Sequence, residues 1–441
     1  MVRYNNYMTT LRTIVKKLIP RELFKKIEPF GHLLEAILAN IRYGFPGRKL
    51  RIIGVTGTNG KTTTSFLIHR LLHESGIKVA LLTTVANGIG DAIVPQAEHI
   101  TTAQASVLQK KLRDYARAGV EWVVVETSSH SLAQHRVWGV PYEIAVMTNI
   151  THEHLDYHGT FKKYVEAKRR LFTIANKHGL RFGVVNAQDP SAKLFVDSVA
   201  NSTTYGIGAG GLSATKVRLA ADHSSYVARI DDDAYDIQVN IPGEFNVSNS
   251  LAAIAVGRKL GLSKKEIEKG IAALKGVEGR MQVINEGQKF QVIVDFASTP
   301  DAFERFFESV RPLTKGKLIA VFGSAGRRDE TKRAVQGTIA GKSADIVIAT
   351  EEDDRDVDGE QILQEIAAGA KKAGKTEGKD LFLVLNREEA IGFAMTQVTG
   401  PDDVVVLLGK GHEQTIERAD GVYPWNEAEV ARAALQELKK A

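Results

Sequence analysis

Gly54-Val-Thr-Gly-Thr-Asn-Gly-Lys-Thr-Thr-Thr64 lies between the apolar run Leu50–Val55 and a helix-like stretch that begins near Lys61. Glycines let a backbone approach an anion closely, and the N–H groups at the start of a helix donate to that anion. Lys61 would add a positive charge, and Thr62 an oxygen ligand for Mg²⁺. The stretch therefore predicts a strand, a phosphate-binding loop and a helix. The strict P-loop spacing is not met, because Val55 stands where that motif has its first glycine.

Downstream of this loop, short apolar runs alternate with stretches of helical spacing, which is typical of a parallel sheet covered by helices. This first series predicts strands at Arg51–Val55, Val79–Thr83, Trp122–Glu126, Ile144–Asn149 and Phe182–Asn186, with helices at 61–75, 104–118, 160–177, 246–260 and 264–274. Between 203 and 241, the alternating runs Tyr226–Ile230 and Tyr235–Val239 predict antiparallel hairpins appended to the sheet.

A second alternating series follows a linker-like stretch at Gly276–Arg280. Its strands are predicted at Phe290–Asp295, Lys317–Phe322, Ile346–Thr350, Leu381–Leu385 and Val404–Leu408, with helices between them. The expected fold class is therefore α/β: a P-loop parallel-sheet domain with appended antiparallel hairpins, followed by a Rossmann-like α/β C-terminal domain. We place a basic helical N-terminal extension at 1–48, the central nucleotide-binding domain at 49–279 and the Rossmann-like domain at 280–441.

Composition narrows the class of protein. The 441 residues are 43% hydrophobic and 25% charged, and the absence of cysteine excludes disulfides and thiolate metal sites. The sequence has neither an apolar run of about 18 residues nor the apolar core of a signal peptide, so we expect a cytoplasmic protein without a transmembrane segment. The formal charge of +6 has no nucleic-acid-binding module beside it, and small anionic substrates explain it more simply. We expect a monomer.

Residues 1–48 combine apolar side chains such as Ile14, Leu18 and Leu23 with basic ones such as Lys16 and Lys17. This pattern predicts one or two helices. The favoured interpretation is an extension packed on the protein with a solvated basic face, and a helix that contacts a membrane surface or a partner is the alternative.

Two further clusters follow predicted strands, at the sheet edge where open α/β folds gather their ligands. Glu126 ends one strand and is a candidate metal ligand. The next strand runs into Thr148-Asn-Ile-Thr-His-Glu-His-Leu-Asp-Tyr-His158, which contains three histidines and suggests zinc. Because no cysteine assists and a phosphate loop is near, Mg²⁺ with His154 as one ligand is the favoured hypothesis. Asp156 and His158 could instead cap the helix that starts near Thr160.

With these clusters in place, four strings resemble the Mur ligase family: Thr56–Thr62, Glu126-Thr-Ser-Ser-His130, Thr148–Asp156 and Gly409-Lys-Gly-His-Glu413. The resemblance runs from about 50 to 425. It implies an ATP- and Mg²⁺-dependent ligase in peptidoglycan precursor synthesis. Such an enzyme converts a carboxylate on a muramoyl-L-Ala-D-Glu-type acceptor to an acyl phosphate, which the amine of an added diamino acid then attacks. Within the family, the last string and Gln134-His-Arg136 point to this third-residue addition, with meso-diaminopimelate as first choice.

The resemblance also implies roles for individual residues, and these fall into four groups. The phosphate-binding residues are Gly57, Thr58, Asn59, Gly60, Lys61, Thr62 and Thr63, and the other nucleotide contacts are Asn246, Arg280 and Asp295. The catalytic and metal-binding group is Lys61, Thr62, Glu126, His154 and Lys168, with Lys168 carbamylated, although by its own pattern Lys168 would be a solvated helix lysine. The acceptor contacts are Thr101, Thr102, Ser128, Gln134 and Arg136. The contacts of the incoming amino acid are Arg328, Asp353, Arg355, Gly409 and Glu413.

The sequence departs from the family pattern in several places. Ala103 replaces a proline, Ser298 replaces a histidine, and Glu352-Asp-Asp-Arg355 stands where enzymes that select meso-diaminopimelate have Asp-Asn-Pro-Arg. The two added acids would favour a cationic side chain on the substrate. Residues 1–48 cannot reproduce the separate N-terminal UDP-binding domain of such enzymes.

Two other functions stay open at this point. The first is a related ligase that extends a glutamyl or aspartyl polymer. The second is a nucleotide-dependent binding protein without catalysis.

Overall fold

A computed structural model describes residues 21–96, 101–151, 153–220 and 222–440. This part of the chain opens with helix α1 (Arg21–Tyr43), and a short 3-10 turn follows at Pro46–Lys49. The buried side of α1, which includes His32, Ala36 and Asn40, packs against helix α3 (Ala105–Arg117). The side chains of the predicted basic face, such as Lys16 and Lys17, lie outside the described residues. Most of the exposed side chains in the described part of α1 are apolar.

The first sheet has eleven strands in the order β11-β10-β9-β8-β7-β6-β1-β5-β2-β3-β4. In chain order these are β1 (Arg51–Thr56), β2 (Val79–Leu82), β3 (Ala86–Ile89), β4 (Ala92–Pro95), β5 (Trp122–Glu126), β6 (Tyr142–Met147), β7 (Phe182–Asn186), β8 (Asn201–Ile207), β9 (Leu212–Leu219), β10 (Ser224–Ile230) and β11 (Asp233–Val239). The pairings from β2 through β5, β1, β6, β7 and β8 to β9 are all parallel.

Helices cover both faces of this sheet. They are α2 (Lys61–Glu74), α3, α4 (Ser129–Ala133), α5 (Leu155–His158), α6 (Phe161–Ala175), α7 (Ala192–Val196), α8 (Glu244–Lys259) and α9 (Lys264–Ala272). Successive side chains of β1 point to opposite faces: Ile53 joins the cluster with Leu67 of α2, while Ile52 joins the cluster with Leu171 of α6. Burial on both faces explains why β1, β5 and β6 are nearly continuous apolar runs.

The hairpin region differs from the prediction in one respect. Strands β9, β10 and β11 pair antiparallel as expected, but β8 pairs with β9 in parallel. The antiparallel ribbon therefore begins one strand later than the sequence pattern indicated. The sequence pattern does not predict the β3–β4 hairpin at the opposite edge, because Asn87, Gly88 and Gly90 interrupt its short apolar runs.

The second sheet has six strands in the order β12-β13-β17-β14-β15-β16, and all pairs except β12 with β13 are parallel. Its strands are β12 (Gln282–Ile284), β13 (Gln291–Asp295), β14 (Leu318–Phe322), β15 (Ile346–Ala349), β16 (Leu381–Leu383) and β17 (Val404–Leu408); a separate hairpin pairs β18 (Thr415–Arg418) with β19 (Gly421–Pro424). The helices are α10 (Pro300–Val310), α11 (Lys332–Ser343), α12 (Gly359–Lys372), α13 (Arg387–Thr396) and α14 (Glu427–Leu438). The predicted α/β class, with two parallel-sheet units, is confirmed.

Candidate active site

The phosphate loop, residues Gly57–Gly60, joins β1 to the start of α2, and the end of β6 holds it in place. The backbone N–H of Thr58 donates to Asn149 O at 2.7 Å, and that of Asn59 donates to Asn149 Oδ1 at 3.0 Å. Thr148 Oγ1 donates to Asn59 O at 2.6 Å. Because β6 lies next to β1 in the sheet, these contacts fix the loop directly above the sheet edge.

Two glycines of the loop cannot be replaced without strain. Gly60 has φ +80°, and a Cβ there would lie 2.3 Å from Asn249 Oδ1. A Cβ at Gly57 would collide with Thr148 Oγ1. With Gly60 at its N-cap, α2 has no side-chain cap, so its first N–H groups point into the loop. Lys61 Nζ donates to Thr58 O at 2.7 Å, which places a positive charge on the same loop. This arrangement can bind an anionic phosphate chain.

Glu126 and Thr62 meet at the start of α2. Glu126 is 2% exposed, and its Oε2 accepts hydrogen bonds from Thr62 Oγ1 and from the N–H of Thr84, both at 3.0 Å. The strand order explains the meeting, because β5 lies directly beside β1. A hydroxyl and a carboxylate are the oxygen donors that Mg²⁺ prefers, so these two residues fit a magnesium ion beside the phosphates.

Lys168 is 2% exposed and lies beneath the phosphate loop. Its Nζ donates to Gly57 O at 2.5 Å and lies 4.5 Å from the centre of the Tyr164 ring. Burial, together with the positive charge of Lys61, lowers the pKa of the Lys168 amine well below its ordinary value. The interpretation of Lys168 as a solvated helix lysine is therefore wrong.

The imidazole cluster lies beside this loop. His130 packs against His154 and His158, with ring centres 4.6 and 5.5 Å away, and burial lowers the pKa of His130 to about 3. His154 is 42% exposed and has a positive φ of +55°. His158 Nε2 lies 3.0 Å from Ser129 Oγ, and Thr160 itself caps α6, so His158 does not cap that helix.

Two residues of this region, His152 and the side chain of Asp156, lie outside the described residues, so the capping alternative for Asp156 is not addressed. Across the described ranges, no group of three or more His, Asp or Glu residues is arranged to hold a metal ion.

The predicted acceptor contacts form a connected network at the end of β5. Thr102 Oγ1 donates to Glu126 O at 3.0 Å and accepts from the N–H of Ser128. Arg136 Nη1 donates to Thr102 O at 2.9 Å, and Arg136 Nε donates to Gln134 Oε1 at 2.8 Å. Thr101, the neighbour of Thr102, faces the main cavity. The structure thus brings all five predicted acceptor residues to one side of Glu126.

One cavity of about 680 Å³ joins these parts to the second sheet. Its lining includes twelve of the predicted site residues: Thr58, Asn59, Gly60, Lys61, Thr62, Thr63, Thr101, Glu126, His154, Asn246, Arg280 and Asp295. Asp295 accepts from the N–H groups of Met281 and Ala297, each at 2.8 Å, and burial raises its pKa against the opposing charge of Arg280. The cavity is large enough for a nucleotide.

Three of the five predicted contacts of the incoming amino acid form ion pairs with nearby residues: Asp353, Arg355 and Glu413. Lys410 Nζ lies 2.9 Å from Asp353 Oδ1 and 2.7 Å from Glu413 Oε2. Arg355 Nε donates to Glu417 Oε2 at 2.7 Å. The negative charge that Asp353 adds is therefore offset by Lys410. Arg328 is exposed on the loop after β14, and none of these residues lines the main cavity.

Glu352, which was not among the predicted contacts, lies beside Gly409 of this group. It is 6% exposed, and its Oε2 has no hydrogen-bond partner within the described part of the chain. A Cβ at Gly409 would lie only 2.5 Å from that oxygen, so the glycine leaves room for it. The N–H of Gly409 donates to Asp295 O at 3.1 Å, which connects this group to the lining of the cavity.

Asp354, two residues further along the chain, gives a pH-dependent prediction. Burial, with the neighbouring charges of Glu351 and Glu352, raises the pKa of Asp354 to about 6. Above pH 6 the folded protein must hold this group ionised at a cost, whereas below that pH the folded protein keeps it protonated. Asp354→Asn should therefore raise the melting temperature by a few degrees at pH 7.5, equivalent to about 1 kcal/mol after allowance for solvent screening.

The same comparison at lower pH supplies the control. The difference between Asp354→Asn and the unchanged protein should shrink as the pH falls from about 7.5 towards 4.5, because the native carboxyl then takes up its proton. Asp356→Asn, which removes an exposed acid paired with Arg327, should not stabilise the protein at either pH. Equal melting temperatures at all pH values would contradict the raised pKa of Asp354.

A single carboxylate links the two units across the cavity. Asp301, at the start of α10, accepts from Asn59 Nδ2 at 2.7 Å and from Thr151 Oγ1 at 3.2 Å. Arg305 Nε, one turn further along α10, lies 3.1 Å from the same carboxylate. Helix α10 is thereby held against the phosphate loop.

Comparison with known proteins agrees with this geometry. The profile of the Mur ligase middle domain matches residues 55–257, and that of the Mur ligase glutamate ligase domain matches residues 279–411. The chain is 42% identical over 424 residues to a UDP-N-acetylmuramyl-tripeptide synthetase of Roseiflexus sp., covering 93% of this chain and 83% of the relative. The chain belongs to the Mur ligase family.

Other Mur ligases extend the comparison. The tripeptide synthetase of Deinococcus radiodurans is 40% identical, over 89% of this chain and 80% of that protein. A solved UDP-N-acetylmuramoyl-L-alanyl-D-glutamate–2,6-diaminopimelate ligase superposes with a TM-score of 0.64 at 33% identity, covering 88% of this chain and 79% of that one. Folylpolyglutamate synthase of Mycobacterium tuberculosis shares the fold alone, with a TM-score of 0.70 at 18% identity.

Membership of the family confirms the resemblance found in the sequence and identifies an ATP-dependent ligase that acts on small molecules. Mur ligases use ATP and Mg²⁺, and the Thr62 and Glu126 oxygens beside the phosphate loop fit both. Among the described residues, no helix has the length and apolar character needed to cross a membrane.

Proposed function

We propose that this Mur ligase adds a diamino acid, with meso-diaminopimelate first, to a muramoyl-L-Ala-D-Glu-type acceptor in peptidoglycan precursor synthesis in the cytoplasm. One observation supports this most directly: the cavity that holds the phosphate loop also reaches Thr101 on the acceptor side and Asp295 on the side of the second sheet. The cavity thus offers adjacent places to ATP and the acceptor around Glu126, and the hydrogen bond from the N–H of Gly409 to Asp295 O brings the proposed amino-acid contacts next to it. Relatives named for this reaction are 35 to 38% identical over most of the chain.

We infer that the two units, each built on one sheet, bind different substrates. We assign ATP and acceptor binding to residues 49–279 and amino-acid binding to 280–441. In the first step, an acceptor carboxylate oxygen attacks the γ-phosphorus of ATP, the bond to the bridging oxygen breaks, and ADP leaves. The acyl phosphate that forms is then attacked by the amine, and the tetrahedral intermediate expels phosphate. Lys61 and the N–H groups at the start of α2 stabilise the charge on the transferred phosphoryl oxygens.

We further propose that Lys168 is carbamylated. Burial lowers the pKa of the Lys168 amine and so increases its neutral fraction, and a neutral amine attacks CO₂ to form a carbamate with release of a proton. Carbamylation adds a carboxylate to the amine nitrogen, and its two oxygens, which share one negative charge, are ligands that Mg²⁺ prefers. Thr62, Glu126 and His154 would hold a metal ion, which would offset the negative charge of the transferred group.

Glu352 is our candidate for selecting a cationic substrate. The carboxylate is buried beside Gly409 and has one oxygen without a partner among the described residues, so an ammonium group of the incoming amino acid would complete its hydrogen bonding. Such charge-assisted hydrogen bonds are stronger than neutral ones. Asp353 is the weaker candidate, because Lys410 already lies 2.9 Å from it.

Replacing Glu352 with Gln should therefore raise KM for the diamino acid about tenfold and leave KM for ATP nearly unchanged. Initial-rate measurements with each substrate varied in turn would show this. The matched control is Glu388→Gln, which neutralises an exposed acid at the start of α13 and should alter neither constant. An unchanged KM for the diamino acid in Glu352→Gln would remove Glu352 from the substrate site.

The substrates themselves are tested by measuring phosphate release from ATP with crossed substrates. The acceptors are UDP-N-acetylmuramoyl-alanyl-glutamate, the same peptide without UDP and a polyglutamate, and the amines are diaminopimelate, lysine, ornithine and aspartate. Turnover that requires the muramoyl peptide and a diamino acid, with the product identified by mass spectrometry, is the expected result. Turnover only with polyglutamate would favour the polymer-extending alternative, and the absence of turnover would favour a binding protein.

A further inference from the structure

The exposed side of α1 carries an apolar stripe, defined as Phe30, Leu34, Leu38 and Ile41. These side chains are 73, 57, 49 and 61% exposed, and their spacing of four, four and three residues places them on one face of the helix. Leu23 and Ile27 continue the same spacing in the sequence. An apolar stripe of four large side chains on the surface of a water-soluble domain indicates an interaction site.

The stripe does not arise from a loosely attached helix. Asn40, on the opposite side of α1, donates from Nδ2 to Trp138 O at 2.9 Å, and Ser106 Oγ of α3 donates to Glu35 Oε1 at 3.2 Å. The Arg113 guanidinium lies 4.9 Å from the centre of the Tyr43 ring. Helix α1 is therefore docked through its polar and small side chains, and the docked orientation leaves the stripe facing outward.

The charge of this region indicates what the stripe contacts. Residues 1–48 contain nine Lys and Arg residues and three Glu residues, a net charge of +6, which equals the net charge of the whole chain. Residues 49–441 are thus neutral on balance. A bilayer rich in acidic lipids has an anionic surface over an apolar interior. A segment that combines an apolar stripe with concentrated positive charge is complementary to such a bilayer.

We propose that α1 is a membrane-docking element that lies on the surface of an anionic bilayer. The stripe enters the boundary between headgroups and acyl chains, and the basic residues of 1–48 meet the acidic headgroups. A second copy of the chain is a poorer occupant, because pairing two stripes would bring two segments of charge +6 together. Since α1 packs on α3, which follows the Thr101–Thr102 loop, the docked surface adjoins the acceptor side of the cavity.

Vesicle co-sedimentation tests this proposal. The full-length protein should bind vesicles of equal parts phosphatidylglycerol and phosphatidylcholine, and bind phosphatidylcholine alone far more weakly. Raising the salt concentration should weaken the binding, because the charge attraction is screened. The double variant Leu34→Gln with Leu38→Gln keeps the charge and removes half of the stripe, so its partition coefficient should fall about tenfold.

The control variant is Val422→Gln, which alters a side chain that is 63% exposed on β19, far along the chain from α1. Its vesicle binding should equal that of the unchanged protein. Because all three altered side chains are exposed, every variant should keep its melting temperature and its phosphate release with soluble substrates. These two readouts separate loss of docking from loss of folding or of the ligase reaction.

Three results would overturn the proposal. They are the absence of binding to the anionic vesicles, binding that the Leu34/Leu38 variant retains in full, and a concentration-dependent dimer in sedimentation that the same variant dissociates. The last result would assign the stripe to a second copy of the chain.

Discussion

Lys61→Ala should lower the rate of phosphate release by about a thousandfold or more. Lys61 Nζ lies on the phosphate loop at 2.7 Å from Thr58 O, and in a phosphoryl transfer such a lysine offsets charge that accumulates on the transferred group. The fold should persist, because Lys61 is the first residue of α2 and alanine is a good helix former. Single-turnover measurements at saturating ATP would separate the loss in chemistry from weaker nucleotide binding.

A matched lysine provides the control for this experiment. Lys264 begins α9 and is 55% exposed, so Lys264→Ala should leave turnover unchanged. If Lys61→Ala retained near-normal turnover, the phosphate loop would not be the site of ATP use and the site assignment would be refuted.

Lys168→Met should lower turnover by about a hundredfold or more, and it is the second large effect that we expect. Methionine fills the buried space without a charge, so the fold is retained while the amine is lost. If the active form is a carbamate, the unchanged protein should lose activity in CO₂-depleted buffer and regain it when bicarbonate is added. ¹³C-bicarbonate should also produce a carbamate signal in NMR that Lys168→Met lacks.

The control lies on the same helix. Lys163 is exposed on α6, and Lys163→Ala should respond to bicarbonate as the unchanged protein does. A large loss of turnover in Lys168→Met combined with no effect of bicarbonate would show that the amine itself acts, and would reject the carbamate.

The sequence alone was sufficient to predict those parts of the site that depend on local sequence pattern. The glycine-rich loop, Lys61 and the acid at the end of β5 follow directly from strand ends in a parallel sheet, and the structure places them within one cavity. Lys168 shows where local pattern fails. Its helix neighbours predict a solvated lysine, but α6 packs across the sheet beneath the loop, and that packing cannot be seen from residues 160–177 alone.

The group around Gly409, which we propose binds the incoming amino acid, was less predictable for the same reason. Glu352 is buried because the loop after β15 meets the loop after β17 at Gly409, a residue 57 positions later, and the two strands are separated by β14 in the sheet. Asp353 looked available from its sequence context, but Lys410 from that second loop offsets its charge. The packing of these loops thus decides which acidic side chains can face a substrate. The sequence patterns that predict strands carry no information about that packing.

If ATP binds at the phosphate loop as we propose, the hydrogen bond from Asn59 to Asp301 links nucleotide occupancy to the position of α10. Asn59 cannot give the same N–H to a phosphate while Asp301 accepts it at 2.7 Å, and a triphosphate brings like charge towards that carboxylate. Binding of ATP and retention of this contact are then in competition, and thermodynamic linkage makes the competition reciprocal. The affinity for ATP would then include the free energy of separating Asp301 from the loop, so a ligase without that carboxylate would bind its nucleotide more tightly. In such a ligase, nucleotide binding would no longer change the position of α10 through this contact.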